Sequence, residues 1–293
     1  MALRLIVLML VIQTAVAQQL SDLTADIVGR LSNTEGRFAV GVLDLSSGEI
    51  LYVNPDTVFH AASTMKTPVM VEVFKQAKAG KFSLDDSIEV KNEFRSIVDG
   101  SPYRLNVSDD SDSLVYKRIG SRMSIRDLVF QMITVSSNLA TNILIELVGA
   151  PNVMETMRSL GARDSKVLRG VEDGKAFRLG LNNVVTARDL VIIYRAIATG
   201  SVVDAEACRV MVKILSEQHF RDIIPAQLPA GAVVAHKTGS ITGVEHDSGI
   251  VYLPNGRSYV IVLLSKDLKD AKAGKRALAD VSKRIYDFFM RGS

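Results

Sequence analysis

Apolar residues recur along this chain with two different periods, and the period changes in blocks. From Leu20 to Leu31 the spacing is helical. Arg37 to Leu45 then reads as a strand, Ser46-Ser47-Gly48 as a turn, and Glu49 to Val53 as a returning strand, which together predict an antiparallel hairpin. A helix is expected from about Thr64 to Gly80, with Pro68 early enough that its missing N–H is tolerated. Between about Asn92 and Arg122, Gly, Pro, Ser and Asp occur without a period and predict loops. Helical spacing resumes after Ser124-Ile125-Arg126-Asp127, a capping-box-like start. It continues from Leu139 to Val148, again after Pro151, then from Thr186 to Gly200 and from Asp204 to Leu215. Strands return at Ala232–Lys237, Ser248–Leu253 and Ser258–Ser265, the last two joined by an Asn255-Gly256 turn. A long amphipathic helix, Ala271 to Met290, follows. Early and late strands must therefore share one sheet, with a helical block inserted between them. No internal repeat appears, and no Pro- or Gly-rich linker separates independent units.

Composition narrows the class only a little. With 293 residues, 47% of them hydrophobic and 23% charged, the chain is long enough for one large or two closely packed domains. The formal charge of +3 and the lack of a basic stripe interleaved with aromatics argue against nucleic acid as a partner. Residues Met1 to Ala17 combine Arg4, an apolar run from Leu5 to Ile12, and Ala15-Val16-Ala17 before Gln18. That pattern predicts a cleaved signal peptide, hence a periplasmic or secreted protein, and the apolar run is too short to span a bilayer. Cys208 is the single cysteine, so no disulfide can form within the chain, and its amphipathic surroundings predict a packing role. The four histidines show no metal-ligand spacing, and no cofactor or metal is expected. The acidic run Ser108 to Ser113 lacks the glycine and distal glutamate of a calcium loop and reads as a solvated loop. Tyr103 reads either as an aromatic flap beside a site or as an ordinary turn residue.

Three short motifs carry candidate chemistry. In Phe59-His60-Ala61-Ala62-Ser63-Thr64-Met65-Lys66, Ser63 and Lys66 stand three apart, on one face of a helix beginning there. A serine hydroxyl is a poor nucleophile until a neighbouring base takes its proton. The helix start also aims unpaired N–H groups at whatever negative charge forms on a substrate bonded to Ser63. The second motif, Ser136-Ser137-Asn138, lies between two expected helices and gathers hydroxyls and an amide suited to proton transfer and to holding a substrate amide. In the third, His236-Lys237-Thr238-Gly239-Ser240, a strand-end glycine admits a ligand close to the backbone. Lys237, Thr238 and Ser240 then offer a cation and two hydroxyls to a carboxylate. Each motif alone is equally what a serine cap, an Asn cap or a turn glycine looks like. The ordered trio in an exported chain is far more specific.

On these residues the chain resembles the class A β-lactamase and penicillin-recognising serine hydrolase family over nearly all of its mature length. The matches are closest at Phe59 to Lys66, Met132 to Leu144 and Lys237 to Gly239. The resemblance implies an α/β (α+β) architecture, an antiparallel sheet flanked by helices and packed on an all-helical domain. Residues 18–60 with 207–293 would form the sheet domain and residues 61–206 the helical domain, with the active site between them. It implies Ser63 as acylated nucleophile, Lys66 as proton acceptor or relay, and Ser136 as donor to the leaving nitrogen. Asn138 would hold the substrate's side-chain amide, Lys237, Thr238 and Ser240 would bind its carboxylate, and Gly239 would belong to the same substrate-binding set. The N–H groups of Ser63 and Ser240 would form the oxyanion hole. The implied partner of a monomeric enzyme is a small-molecule β-lactam, or a peptidoglycan peptide for a D-alanyl-D-alanine peptidase or esterase-like hydrolase of the same fold.

Two departures stand out. Ser137 occupies a place where many members of the family carry aspartate. The loop expected to supply the deacylating carboxylate reads Arg169-Gly170-Val171-Glu172-Asp173, one residue longer than the usual spacing, with Ala176 where an asparagine is expected. Glu172 is the expected general base and Asp173 the second candidate. Asn182 or Asn183 could replace the missing asparagine only if the loop folds differently. His246 and Asp247 are expected either to border the pocket or to pair across a strand turn.

Overall fold

In the computed structural model, which describes residues 18–291, strands from both ends of the chain lie in one antiparallel sheet. The expected signal peptide lies outside the described residues. The strands are β1 (Arg37–Asp44), β2 (Ile50–Val53), β3 (Val233–Ile241), β4 (Val244–Tyr252) and β5 (Ser258–Lys266), in the order β2-β1-β5-β4-β3. β5 is central: Arg37 of β1 faces Lys266 and Asp44 faces Tyr259, while Asp247 of β4 faces Leu263 on the other side. With helices over both faces, its sequence is an almost continuous apolar run rather than an alternation.

The helices are α1 (residues 18–31), α2 (Lys66–Lys78), α3 (Ile125–Thr134), α4 (Asn138–Val148), α5 (Ala150–Leu160), α6 (Gly174–Arg178), α7 (Ala187–Ala198), α8 (Ala205–Ser216) and α9 (Ala271–Arg291). The alternation along β1 sorts them into two layers. Phe38, Val40 and Val42 pack with Leu23, Ile27 and Leu31 of α1 and with Leu278, Val281 and Ile285 of α9. Ala39 and Leu43 face the other way, into the larger core built by α2 to α5, α7 and α8. Each Leu or Ile fully buried there contributes about 1.5–3 kcal/mol. α7 lies directly on the sheet: a Cβ added to Gly41 would stand 2.6 Å from Val191 Cγ2. α8 runs unbroken through residues 206 and 207, the expected boundary between the two domains.

Helix starts follow the expected caps. Ser124, Thr186 and Asp204 each accept the backbone N–H three residues on, from Asp127, Asp189 and Ala207. The late strands differ from expectation: β3 and β4 extend through residues 238–241 and 244–247. Apart from Ile241 and Val244 at the hairpin end, those positions are polar or glycine, so no apolar alternation marks them. Pairing is sustained by the backbone, with Thr238 opposite Asp247 and Ser240 opposite Glu245, while the side chains satisfy one another. Ser240 Oγ donates to Glu245 Oε1 at 3.0 Å, and His236 Nδ1 meets Asp247 Oδ1 at 2.8 Å. The third motif therefore sits inside an edge strand, not at a strand end.

Candidate active site

Ser63 stands in a short 3-10 turn, Ala62–Met65, that runs straight into α2. The helix therefore begins at Lys66, later than expected, but the turn keeps the two residues about one helical turn apart. Ala62 enters the turn with φ +44°, a left-handed backbone uncommon for a residue with a Cβ. Ser63 is half-buried, and its Oγ has no hydrogen-bond partner among the described residues. Lys66 is fully buried. Its Nζ donates to Ser136 O at 2.6 Å and to Asn138 Oδ1 at 2.8 Å, and lies 3.1 Å from Ser136 Oγ. Burial brings its pKa down to about 7, against the opposing charges of Asp110 and Glu172.

Ser136 and Ser137 of the second motif lie in the tight connection between α3 and α4, and Asn138 is the first residue of α4. Ser136 adopts φ +62°, which turns its side chain toward the two amines. Lys237 Nζ reaches the same hydroxyl at 3.0 Å and also donates to Thr238 O at 2.9 Å. Lys237 is fully buried, and desolvation, then the neighbouring charge of Lys66, holds its pKa well below the ordinary lysine value. With both lone-pair positions of Ser136 Oγ facing amines, its own proton is left free for a third partner.

The third motif is pressed against the Ser63 turn. A Cβ on Gly239 would lie 3.0 Å from Ser63 N and 3.1 Å from Thr64 N, so only glycine allows the edge strand this close. The outward N–H groups of an edge strand remain available for a ligand. Thr238 is half-buried beside Lys237. The Ser240 hydroxyl, by contrast, is engaged by Glu245. His246 is buried, with Nε2 2.9 Å from His60 O and Nδ1 accepting Ser265 N–H, which ties β4 and β5 to the segment leading into Ser63. Burial lowers its pKa to about 4, and it stays neutral. Asp247 pairs with His236 across the hairpin and accepts Ile224 N–H.

The carboxylate loop closes the site. Glu172 is exposed, with φ +62°, a left-handed backbone found also at Ala62 and Ser136 around this cluster. Strain of this kind costs about 1–3 kcal/mol per residue and persists where the surroundings impose it. Partial desolvation, then Asp109, pushes the Glu172 carboxyl up, against the pull of Arg169 and Lys66. Asp173 is fully committed elsewhere. It accepts Ala176 N–H, Ile97 N–H and the Ser96 hydroxyl, and these outweigh its burial and hold it below the usual carboxylate range. Asn183 is also occupied, accepting N–H groups of Leu168 and Arg169, and Asn182 Oδ1 accepts from Arg169. Arg169 is buried with carbonyl and amide partners.

A profile of the β-lactamase enzyme family matches residues 16–289. The chain belongs to that family. The β-lactamase PSE-4 of Pseudomonas aeruginosa is 24% identical over 266 residues, covering 86% of this chain and 85% of its own. A Bacillus licheniformis β-lactamase is 25% identical over 289 residues, covering 93% and 86%. Among solved structures, a Sphaerobacter thermophilus β-lactamase superposes with TM-score 0.78 at 29% identity over 92% of this chain and 98% of its own. PBP-A gives TM-score 0.80 at 26% identity over 92% and 96%. The resemblance seen in the motifs and the expected fold class are thus both borne out, and the chain is a class A-like serine hydrolase.

Two residues that position this β-lactamase-family site were missed in the sequence. Asn142 Oδ1 accepts Val171 N–H at 2.7 Å and its Nδ2 donates to Val171 O at 3.0 Å, gripping the residue before Glu172. Its signal was there: a polar residue inside the apolar run of α4 must find partners when buried. Tyr103 reinforces the grip, its OH within 3.3 Å of Asn142 Nδ2 and 3.4 Å of Val171 O, which sets this aromatic beside the Glu172 loop. The second miss is Asp110, which does not point to solvent as its acidic stretch suggested. Among the described residues no group of three or more His, Cys, Asp or Glu could hold a metal ion.

Proposed function

We propose that the protein is an exported serine β-lactamase that hydrolyses the β-lactam amide through an acyl-enzyme on Ser63. The observation that carries the reading is the convergence of Lys66 and Lys237 on one hydroxyl, Ser136, beside the unengaged Ser63. A lysine with its pKa near 7 is partly neutral at physiological pH. Neutral Lys66 has two N–H bonds, which match the carbonyls of Ser136 and Asn138, and a lone pair left to receive a proton. Ser63 Oγ attacks the lactam carbonyl while its proton passes to Lys66. Backbone N–H groups of Ser63 and Ser240 stabilise the oxyanion. The C–N bond then breaks as Ser136 gives its proton to the lactam nitrogen, itself reprotonated from the amine network. Lys237 and Thr238 bind the substrate carboxylate, and Asn138 its side-chain amide. For deacylation, Glu172 takes a proton from water as the water attacks the ester, and the proton returns to Ser63. Small-molecule recognition by a monomer, in the periplasm or outside the cell, completes the reading.

A second reading keeps acylation and slows release, as in a D-alanyl-D-alanine peptidase or an esterase-like hydrolase. It is favoured by Ala176 at the asparagine position and by the prior engagement of Asn182 and Asn183. A mutant of PBP-A was solved as an acyl-enzyme complex with penicillin G. Turnover of a chromogenic cephalosporin separates the two. The β-lactamase reading expects many turnovers for the wild type, none for Ser63→Ala, and an acyl-enzyme trapped by mass spectrometry for Glu172→Gln. A single burst by the wild type would favour the second reading; steady turnover by Ser63→Ala would sink both.

A further inference from the structure

Asp110 reaches the site from the acidic loop that precedes α3. Both its oxygens accept the backbone N–H of Asn138, at 3.0 and 2.9 Å, and Oδ2 also accepts that of Leu139 at 3.0 Å. Oδ1 further accepts Asp112 N–H at 3.1 Å, which orders the loop itself. The N–H groups of a first helical turn have no partner within the helix, and anionic charge is favoured there. Ser137, the local cap of α4, serves only Ala140 N–H. The two foremost N–H groups are thus taken by a carboxylate from elsewhere in the chain. Asn138, held by its backbone in this way, presents Oδ1 to Lys66 Nζ.

We propose that Asp110 is a positioning residue for Lys66: it fixes Asn138, whose amide holds the amine, and supplies the negative charge that the neutral Ser137 does not. This rests on the reading of Ser63 and Lys66 as the acylating pair. The charged groups facing Lys66 are Asp110, Glu172 from the loop over the site and Lys237 from β3. Asp110 and Glu172 both favour the protonated amine, but only Asp110 is also bonded to the element that carries Asn138. Tyr116 borders the same carboxylate, and burial, then Asp110, raises its phenol.

The test follows the 13Cε shift of Lys66 with pH in full-length protein labelled with 13C-lysine, the signal being assigned with Lys66→Arg. In Asp110→Asn the midpoint is expected about one pH unit lower, since the charge is lost while shape is kept. Asp85→Asn, which loses only an exposed pair with Arg126, is expected to leave it unmoved. An unchanged midpoint in folded Asp110→Asn overturns the proposal. If that variant does not fold, Asp110→Asn/Ser137→Asp moves the anion to the helix's own cap. Compared with Ser137→Asp alone, a midpoint about one unit lower then supports the proposal, and an equal midpoint overturns it. Covalent labelling by fluorescent penicillin runs in parallel. Wild type that is never labelled, with a midpoint that moves, ends the functional reading and leaves the role of Asp110 standing. Labelling with a fixed midpoint does the reverse.

Discussion

Lys66 has no exposed surface, and its Nζ lies within hydrogen-bond distance of two carbonyl oxygens and one hydroxyl. Folding therefore takes an amine from water into a site that suits the neutral form better than bulk solvent does. Its pKa falls from the ordinary value to about 7 in the folded state. The unfolded chain then binds the extra proton between about pH 7 and 10.5, so this group's contribution to stability rises across that window and is least favourable below it. Lys66→Met is accordingly expected to be stabilised relative to wild type most strongly near pH 7, the gap in Tm narrowing as the pH approaches 10. Paired thermal melts across that range measure it, and a constant gap would contradict the neutralised amine. Ser63, Lys66, Ser136 and Lys237 could be found in the sequence because ordered short motifs carry them. The direction in which Lys66 reaches could not, because spacing along a helix does not say which loop closes over the amine. Asp110 was illegible for a related reason: its partners lie 28 residues away, and local pattern records no such contact.

In the proposed mechanism, elements act on the chemistry through the loop that carries Glu172. That loop is fastened twice, by Asn142 of α4 at Val171 and by Asp173 at Ser96 and Ile97. Lys175 adds an exposed bridge to Asp99. The strained Glu172 backbone lies between the two fastenings. Asn142→Ala releases the first of them. It is expected to slow deacylation about 10- to 100-fold, comparable to loss of an orienting second contact in other sites, with acylation nearly unchanged. Rapid-quench mass spectrometry would show acyl-enzyme accumulating; equal slowing of both steps would show that Asn142 supports the whole cleft instead. The elements themselves were largely legible, since Ser124, Thr186, Asp204 and Pro151 mark helix starts by mechanism. The ends of β3 and β4 were not, because cross-strand polar pairs leave no apolar period to read.

At the scale of the molecule, the candidate site lies where the edge strand β3 meets the Ser63 turn, and on the same sheet α7 seats closely against β1. Gly41 sets that distance, with Val191 Cγ2 and Tyr52 Cε1 2.6 and 3.2 Å from where a Cβ would sit. Gly41→Ala is expected to cost about 1–3 kcal/mol, measured by urea unfolding, through overpacking between the layers. An unchanged midpoint would mean that α7 can withdraw freely. The sheet has a further consequence for how the protein is made. Its middle strand is the last to leave the ribosome, yet β1, near the other end, has no neighbour on that side until β5 arrives. Loop closure over more than two hundred residues must precede the pairing, which makes folding slow. A growing chain therefore cannot complete its core during synthesis, and stays threadable until its final strand is released.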